Sequence, residues 1–281
     1  MSAKACTKYW DDVAKEAKEE AYVRITKWQK VARNWLADYA DRRAFDFLKE
    51  TVDKIVKLGS SAKVLDVGCG PGKWTKFYAK RCSLVTSIDV SPEMITLARE
   101  HLKYERITNV DFHVMNVTKL ALPEDNYDLV NCVTVLQHIL DDNEWKAAVR
   151  RIVKVTKPQG KILLYESAPN LTIIRRTPHL HIVSMKDYIA EFDRADANLI
   201  HWRAADLSFP ITFFGLSGYA ASFNKKVYYF VRGKPTRLFS EALSLFSRIA
   251  SQLAEPIDYR LGTTPLGYLS LGRIMVFEKN A

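Results

Sequence analysis

The sequence predicts an α/β protein built on a parallel sheet with helices on both faces, and three observations carry that expectation. From residue 64 onward, short apolar runs alternate with segments of helical spacing. Three glycines, Gly68, Gly70 and Gly72, follow one such run directly. Glycine weakens strands and helices alike, so a cluster at their junction points to backbone that turns through positive φ or approaches a ligand. Upstream of the breaker Gly-Ser-Ser-Ala at 59–62 the pattern is helical throughout.

In chain order, residues 9–56 place Val23, Lys27 through its stem, Trp28, Val31, Trp35, Leu36 and Tyr39 at recurring spacings of three and four, which predicts two or three helices. Five strand-like runs follow: VLDV (64–67), LVTSIDV (84–90), DFHVM (111–115), YDLVNCV (127–133) and KILLYE (161–166). Between them PEMITLAREHLK (92–103) and EWKAAVRRIVKVT (144–156) have helical spacing, so right-handed crossovers are expected. Residues 197–208 and 272–280 read as two further strands. The segment separating them exceeds what simple alternation needs. Its residues 207–224 carry no charge, but Pro210, two glycines and several hydroxyls argue for a loop or strand lining an apolar cavity rather than a membrane span. Residues 238–253 are amphipathic with a serine-rich polar face, which suits a cap helix better than a helix lying on lipid. The expected organisation is one integrated domain: an N-terminal helical cap (1–58), a core (59–206), and a substrate-cap insertion with a final core strand (207–281).

Composition narrows the class. With 281 residues, 48% of them hydrophobic, the chain can bury a large core. Cys6, Cys69, Cys82 and Cys132 form no C-x-x-C pair, and MSAKACTKYWDD has no apolar signal core, so a cytoplasmic setting is expected. The net charge is +10, yet even residues 225–281, with nine basic against four acidic groups, contain no polybasic arm. A solvated basic surface is favoured over a nucleic-acid or membrane patch.

The glycine spacing is G-x-G-x-G, with Lys73 where the dinucleotide fingerprint G-x-G-x-x-G would have its last glycine. Asp66-Val-Gly-Cys-Gly-Pro-Gly72 resembles motif I of the class I S-adenosylmethionine-dependent methyltransferases, in particular its small-molecule domains. SIDV with Asp89, SPEMI, VMNVTKL, YDLVNCVTVLQHI and RIVKVTKPQGKILLYE resemble the companion motifs, in order. The resemblance implies a Rossmann-like, seven-stranded, mostly parallel sheet and S-adenosyl-L-methionine as cofactor. It implies a loop of Asp66, Gly68, Cys69, Gly70 and Gly72, and Asp89 accepting hydrogen bonds from the ribose hydroxyls. Val90 and Met94 would pack on the adenine, Asn116 and Val117 would meet its edge, and backbone near Cys132 and Val133 would meet the methionine amino group. Structural alternatives stand beside three of these: Asp66 organising the loop, Met94 as helix core, and Asn116 capping a turn.

The sulfonium already activates the methyl group, so holding an acceptor in line supplies most of the catalysis. His138, on the loop after the fourth strand, is the candidate base, with a structural role as its alternative. His179 and His181 are expected to line the substrate pocket; with no third ligand nearby, no metal is expected. No [DNS]-P-P-[YFW] motif follows the fourth strand and no Pro-Cys nucleophile is present. A small apolar or amphipathic acceptor is therefore the first expectation. RNA or protein as acceptor, peripheral membrane contact and a non-catalytic scaffold are the alternatives. An NAD-dependent dehydrogenase is disfavoured by Lys73.

Overall fold

The computed structural model describes residues 3–18, 44–169, 180–205 and 272–281. Its elements are α1 (Ala3–Lys18), a helical stretch over 44–50 that runs into a π-helical turn at Val52–Val56, β1 (Lys63–Val67), α2 (Lys73–Ala79), β2 (Leu84–Asp89), α3 (Pro92–Tyr104), β3 (Val110–Val114), β4 (Tyr127–Val133), α4 (Asp142–Val155), β5 (Thr156–Ser167), α5 (Met185–Arg194), β6 (Ala197–Ala204) and β7 (Gly272–Lys279). The uncharged stretch 207–224, the amphipathic stretch 238–253, most of the N-terminal cap and His179 lie outside the described residues.

The sheet has seven strands in the order β3-β2-β1-β4-β5-β7-β6. The first five are parallel, and β7 runs antiparallel to both neighbours. Because strand side chains alternate faces, each central strand feeds two cores. Leu65, Val67, Ile162 and Leu164 pack with Trp145, Ile152 and Phe192 on one side. Val64, Leu129, Leu163 and Val276 pack with Phe47, Trp74 and Phe77 on the other. Burial on both faces explains the near-continuous apolar runs, each fully buried aliphatic side chain contributing about 1.5–3 kcal/mol.

Local chemistry sets the helix starts. Ser91 accepts from the Met94 amide, with Pro92 at the first helical position. Asp141 accepts from the Asn143 and Glu144 amides. Ser184 accepts from the Asp187 amide and donates to its carboxylate, a capping box before α5. One boundary differs from expectation. The Pro-x-Gly stretch is a bulge inside β5, where pairing jumps from Tyr127↔Thr156 to Leu129↔Lys161 and Gln159 has φ 62°. A Cβ on Gly160 would lie 2.8 Å from the Lys157 carbonyl oxygen, so the bulge closes only around glycine.

Helix α1 rests on α3 at the end of the sheet where the parallel strands terminate. Ala14 is buried with Met94 and Leu97, and the Ser91 hydroxyl donates to Asp11. That docking brings Cys6 and Trp10 over the strand ends.

Candidate functional site

Backbone geometry builds the floor of the site. Gly68, Gly70 and Gly72 have φ of 66°, 51° and 87°, the left-handed region. At Gly68 a Cβ would also stand 2.3 Å from Val135 Cγ2, so the first turn and the loop after β4 touch only because that side chain is absent. At Gly70 nothing lies within 4 Å of the Cβ position. The main chain there faces open space, as backbone that cradles a ligand must.

A sealed polar cluster holds this loop from below. Thr75 Oγ1 donates to Asp66 Oδ2 at 2.6 Å, and Asn131 Nδ2 donates to Oδ1 at 2.8 Å. Ser87 lies 3.0 Å from the Thr75 hydroxyl, and the Tyr78 hydroxyl donates to Asn131 Oδ1. Register places Asp66 opposite Ser87 on one side and Asn131 on the other, so one polar row crosses three strands. Burial pushes the Asp66 carboxyl up to about 6, against the hydrogen bonds of Thr75 and Asn131.

Asp89 closes β2. Its Oδ2 accepts from the Gly70 amide at 3.0 Å and its Oδ1 from the Ser91 amide at 2.9 Å. A carboxylate has about four acceptor positions, so both oxygens retain capacity toward the cavity beside them. Burial raises its pKa, opposed by those amides.

The cavity has a volume of about 240 Å³. Gly68, Cys69, Gly70, Asp89, Val90, Met94, Asn116, Val117, Val133 and His138, all expected at the site, lie on its wall. Three of the residues expected to hold the cofactor do not. Asp66 is sealed behind the loop, Gly72 packs against Ala98 and Leu102 of α3, and Cys132 is fully buried beneath the sheet's end. Met94 serves both as wall and as core, and Asn116 Oδ1 caps the turn after β3 by accepting from the Thr118 amide. Burial pushes the Cys69 and Cys132 thiols well up, so neither is primed as a thiolate.

The His138 ring stands on the cavity wall, edge-on to Trp10 with centroids 5.2 Å apart. His181, expected to line the pocket, is instead buried behind that wall. Its amide donates to the Gln137 carbonyl, Nδ1 lies 3.1 Å from the Ile139 carbonyl oxygen, and Nε2 lies 3.1 Å from Asp142. The chain must pack here because Trp145 and Met185 form core directly alongside. Among the described residues, no group of three or more His, Cys, Asp or Glu could hold a metal ion.

Residues not expected at the site add to the wall, among them Cys6 and Trp10 of α1, Phe45, Trp74, Lys73 and Tyr165. Phe45 stacks on Trp74 with centroids 4.7 Å apart. Glu166 was also missed. It is fully buried, and its only signal is a carboxylate at the end of the apolar run KILLYE.

This strand order, with a glycine loop after β1 and an acidic residue ending β2, defines the class I methyltransferase fold. Residues 64–160 match the family model described as a methyltransferase domain, and that part of the chain carries the class I methyltransferase fold. Among curated proteins it is similar to the ubiquinone biosynthesis O-methyltransferase of Xanthomonas oryzae pv. oryzae (strain PXO99A), 34% identical over 134 residues, 47% of this chain and 52% of the relative. The corresponding protein of Xanthomonas campestris pv. campestris (strain B100) is 33% identical over 132 residues, covering 46% of this chain and 51% of the relative. The chain thus spans about half the length of the curated relatives it matches. Solved structures share the fold at low identity. YcgJ of Bacillus subtilis gives a TM-score of 0.54 at 18% identity, covering 86% of this chain and 99% of that one. N-methyltransferase NodS of Bradyrhizobium japonicum gives 0.53 at 16%, covering 87% and 98%. The cyclase SpnF gives 0.56 at 19%, covering 84% and 80%, so the shared fold by itself does not specify the reaction.

Proposed function

We propose that this chain transfers a methyl group from S-adenosyl-L-methionine to a small apolar or amphipathic acceptor bound at the strand ends. The observation that carries the reading is one cavity wall shared by the glycine loop, Asp89, His138 and the aromatic side chains Trp10, Phe45, Trp74 and Tyr165. Open space above Gly70 and spare acceptor capacity on Asp89 fit a nucleoside with two ribose hydroxyls. Val90 and Met94 offer an apolar surface for the base, with Asn116 and Val117 at its edge.

The cofactor supplies an activated methyl on a positive sulfonium. The protein's part is then to orient the acceptor, exclude water and accept a proton. Trp10 and the stacked pair Phe45 and Trp74 make the apolar sides that desolvate the reacting atoms. His138 is suited to take the proton of a hydroxyl acceptor, a contribution of about 100-fold or more. The relatives' naming as O-methyltransferases of ubiquinone biosynthesis supports oxygen as the acceptor atom and a quinone-like or lipid-like molecule around it.

A methyltransferase acting on RNA or protein is the second reading, favoured only by the net charge of +10. It requires binding that weakens steeply with salt. No helix among the described residues is long and apolar enough to cross a membrane. The deciding experiment incubates the protein with methyl-labelled S-adenosylmethionine and fractionated cell extract. Label in the organic-soluble pool supports the proposal, label in RNA or protein replaces it, and no label anywhere, with the cofactor bound, leaves a scaffold.

A further inference from the structure

Between β4 and α4 the chain makes a turn that is held in place by two buried side chains from distant elements. It leaves β4 at Val133 and takes a left-handed conformation at Thr134, with φ 56°. A β-branched residue there is a backbone outlier, and such strain persists only where the surroundings over-determine it. Two features do so. Glu166, at the end of β5 and fully buried, accepts from the Val135 and Leu136 amides at 2.8 and 2.9 Å through Oε1, and from the Gln137 amide at 3.1 Å through Oε2. From the opposite side His181 ties down two carbonyls of the same turn. Its amide donates to Gln137 at 2.8 Å, and its Nδ1 reaches the Ile139 oxygen at 3.1 Å. The amides of residues 135–137 and the carbonyls of Gln137 and Ile139 are thus held by two separate elements, and His138 lies between them.

We propose that Glu166 and His181 are positioning residues that clamp the turn from Thr134 to Ile139 and so aim the His138 ring into the acceptor cavity. Neither side chain lies on the cavity wall, so each acts through His138. The inference rests on the reading that His138 serves the acceptor. The carboxylate is the group the site requires, because three convergent N–H donors need two acceptor oxygens. Glutamine offers one acceptor oxygen and turns N–H groups of its own toward the remaining donor. At 181, asparagine can keep a donor near the former Nδ1, and alanine cannot.

The test uses the full chain and two readouts, amide hydrogen exchange at residues 135–139 and steady-state methyl transfer with calorimetric cofactor binding. Glu166→Gln is expected to speed exchange of the Val135, Leu136 and Gln137 amides at least tenfold and to lower kcat about tenfold or more, with cofactor affinity held within about threefold. His181→Ala should do the same at the far end of the turn, and His181→Asn should recover most of the loss. Should Glu166→Gln fail to fold, the His181 pair decides alone. Unchanged exchange in His181→Ala, or equal losses in the Ala and Asn variants, overturns the clamp. If the wild type transfers no methyl group at all, the proposed function falls, and the exchange data still decide whether the turn is held this way.

Discussion

Asp66 and Asp89 are two aspartates at the ends of neighbouring parallel strands, both flanking the glycine loop, and the structure gives them opposite surroundings. Pairing sets Asp66 beside Ser87, so Asp89 lies two residues further along the strand direction, about 7 Å. That offset decides everything else. Asp66 is held from inside the fold by the Thr75 and Asn131 side chains and is 1% exposed. Asp89 meets the backbone amides of Gly70 and Ser91 and stands on the cavity wall. The same residue type therefore braces the loop from below in one case and faces the cavity in the other.

Replacing each in turn is the sharpest way to break that distinction. The largest effect is expected from Asp66→Ala, which leaves the buried Asn131 amide without its acceptor and breaks the short bond from the Thr75 hydroxyl. A loss of about 3 kcal/mol or more is expected, read as a lower urea midpoint. A nearly equal effect is expected from pH. The Asp66 carboxyl titrates near 6 in the folded chain and near 3.8 when unfolded, so the native state binds the proton more tightly. Stability from this group is complete below the unfolded value and is lost as pH rises through 6. Relative to Asp66→Asn, the wild type should lose on the order of 3 kcal/mol between pH 3.5 and 7. A constant difference between the two proteins across that range would show that Asp66 titrates alike in the folded and unfolded chains, with no upward shift. Glu166, raised to about 7 by burial, shifts stability in the same sense, but it is present in both proteins and cancels.

Asp89→Ala should act on the ligand instead. Loss of the ribose hydrogen bonds should weaken S-adenosylhomocysteine binding by about 1–3 kcal/mol in calorimetry. The thermal midpoint should move less than in Asp66→Ala, since water from the cavity can reach the two amides that Asp89 serves. Equal destabilisation by the two substitutions would erase the contrast drawn between them.

Much of this was legible in the sequence because it rests on local pattern. Short apolar runs alternating with helical spacing marked the strands, and the glycine spacing with an acidic strand end marked the loop and the position of Asp89. Asp66 shows the limit. Its position before the glycines is local, but whether its carboxylate faces ligand or core depends on strand parity and on Asn131 lying opposite, a residue 65 positions away. Glu166 and His181 were opaque for the same reason: their partners are the backbone amides and carbonyls of a turn that forms only in the tertiary fold. Trp10 and Phe45 belong to helical patterns that predict a buried face without specifying what it covers. The Pro-x-Gly bulge carried a turn signal, and the register jump that absorbs it into β5 does not follow from composition.

The smallest stability effect, and the cleanest separation of brace from ligand surface, is expected from Gly70→Ala. The added methyl meets no protein atom within 4 Å, so no packing is disturbed. What remains is the left-handed φ of 51°, costing about 1 kcal/mol. Gly68→Ala carries the same backbone cost and also drives its methyl to 2.3 Å from Val135 Cγ2, so it should melt at a lower temperature. For the ligand the order reverses. The Gly70 methyl projects into the space assigned to the nucleoside, and S-adenosylhomocysteine affinity should fall by more than tenfold, beyond what the backbone cost of about 1 kcal/mol explains. If Gly70→Ala binds as the wild type does, the open space above this residue is not where the cofactor lies, and the contrast between the inner and outer sides of the loop loses its functional half.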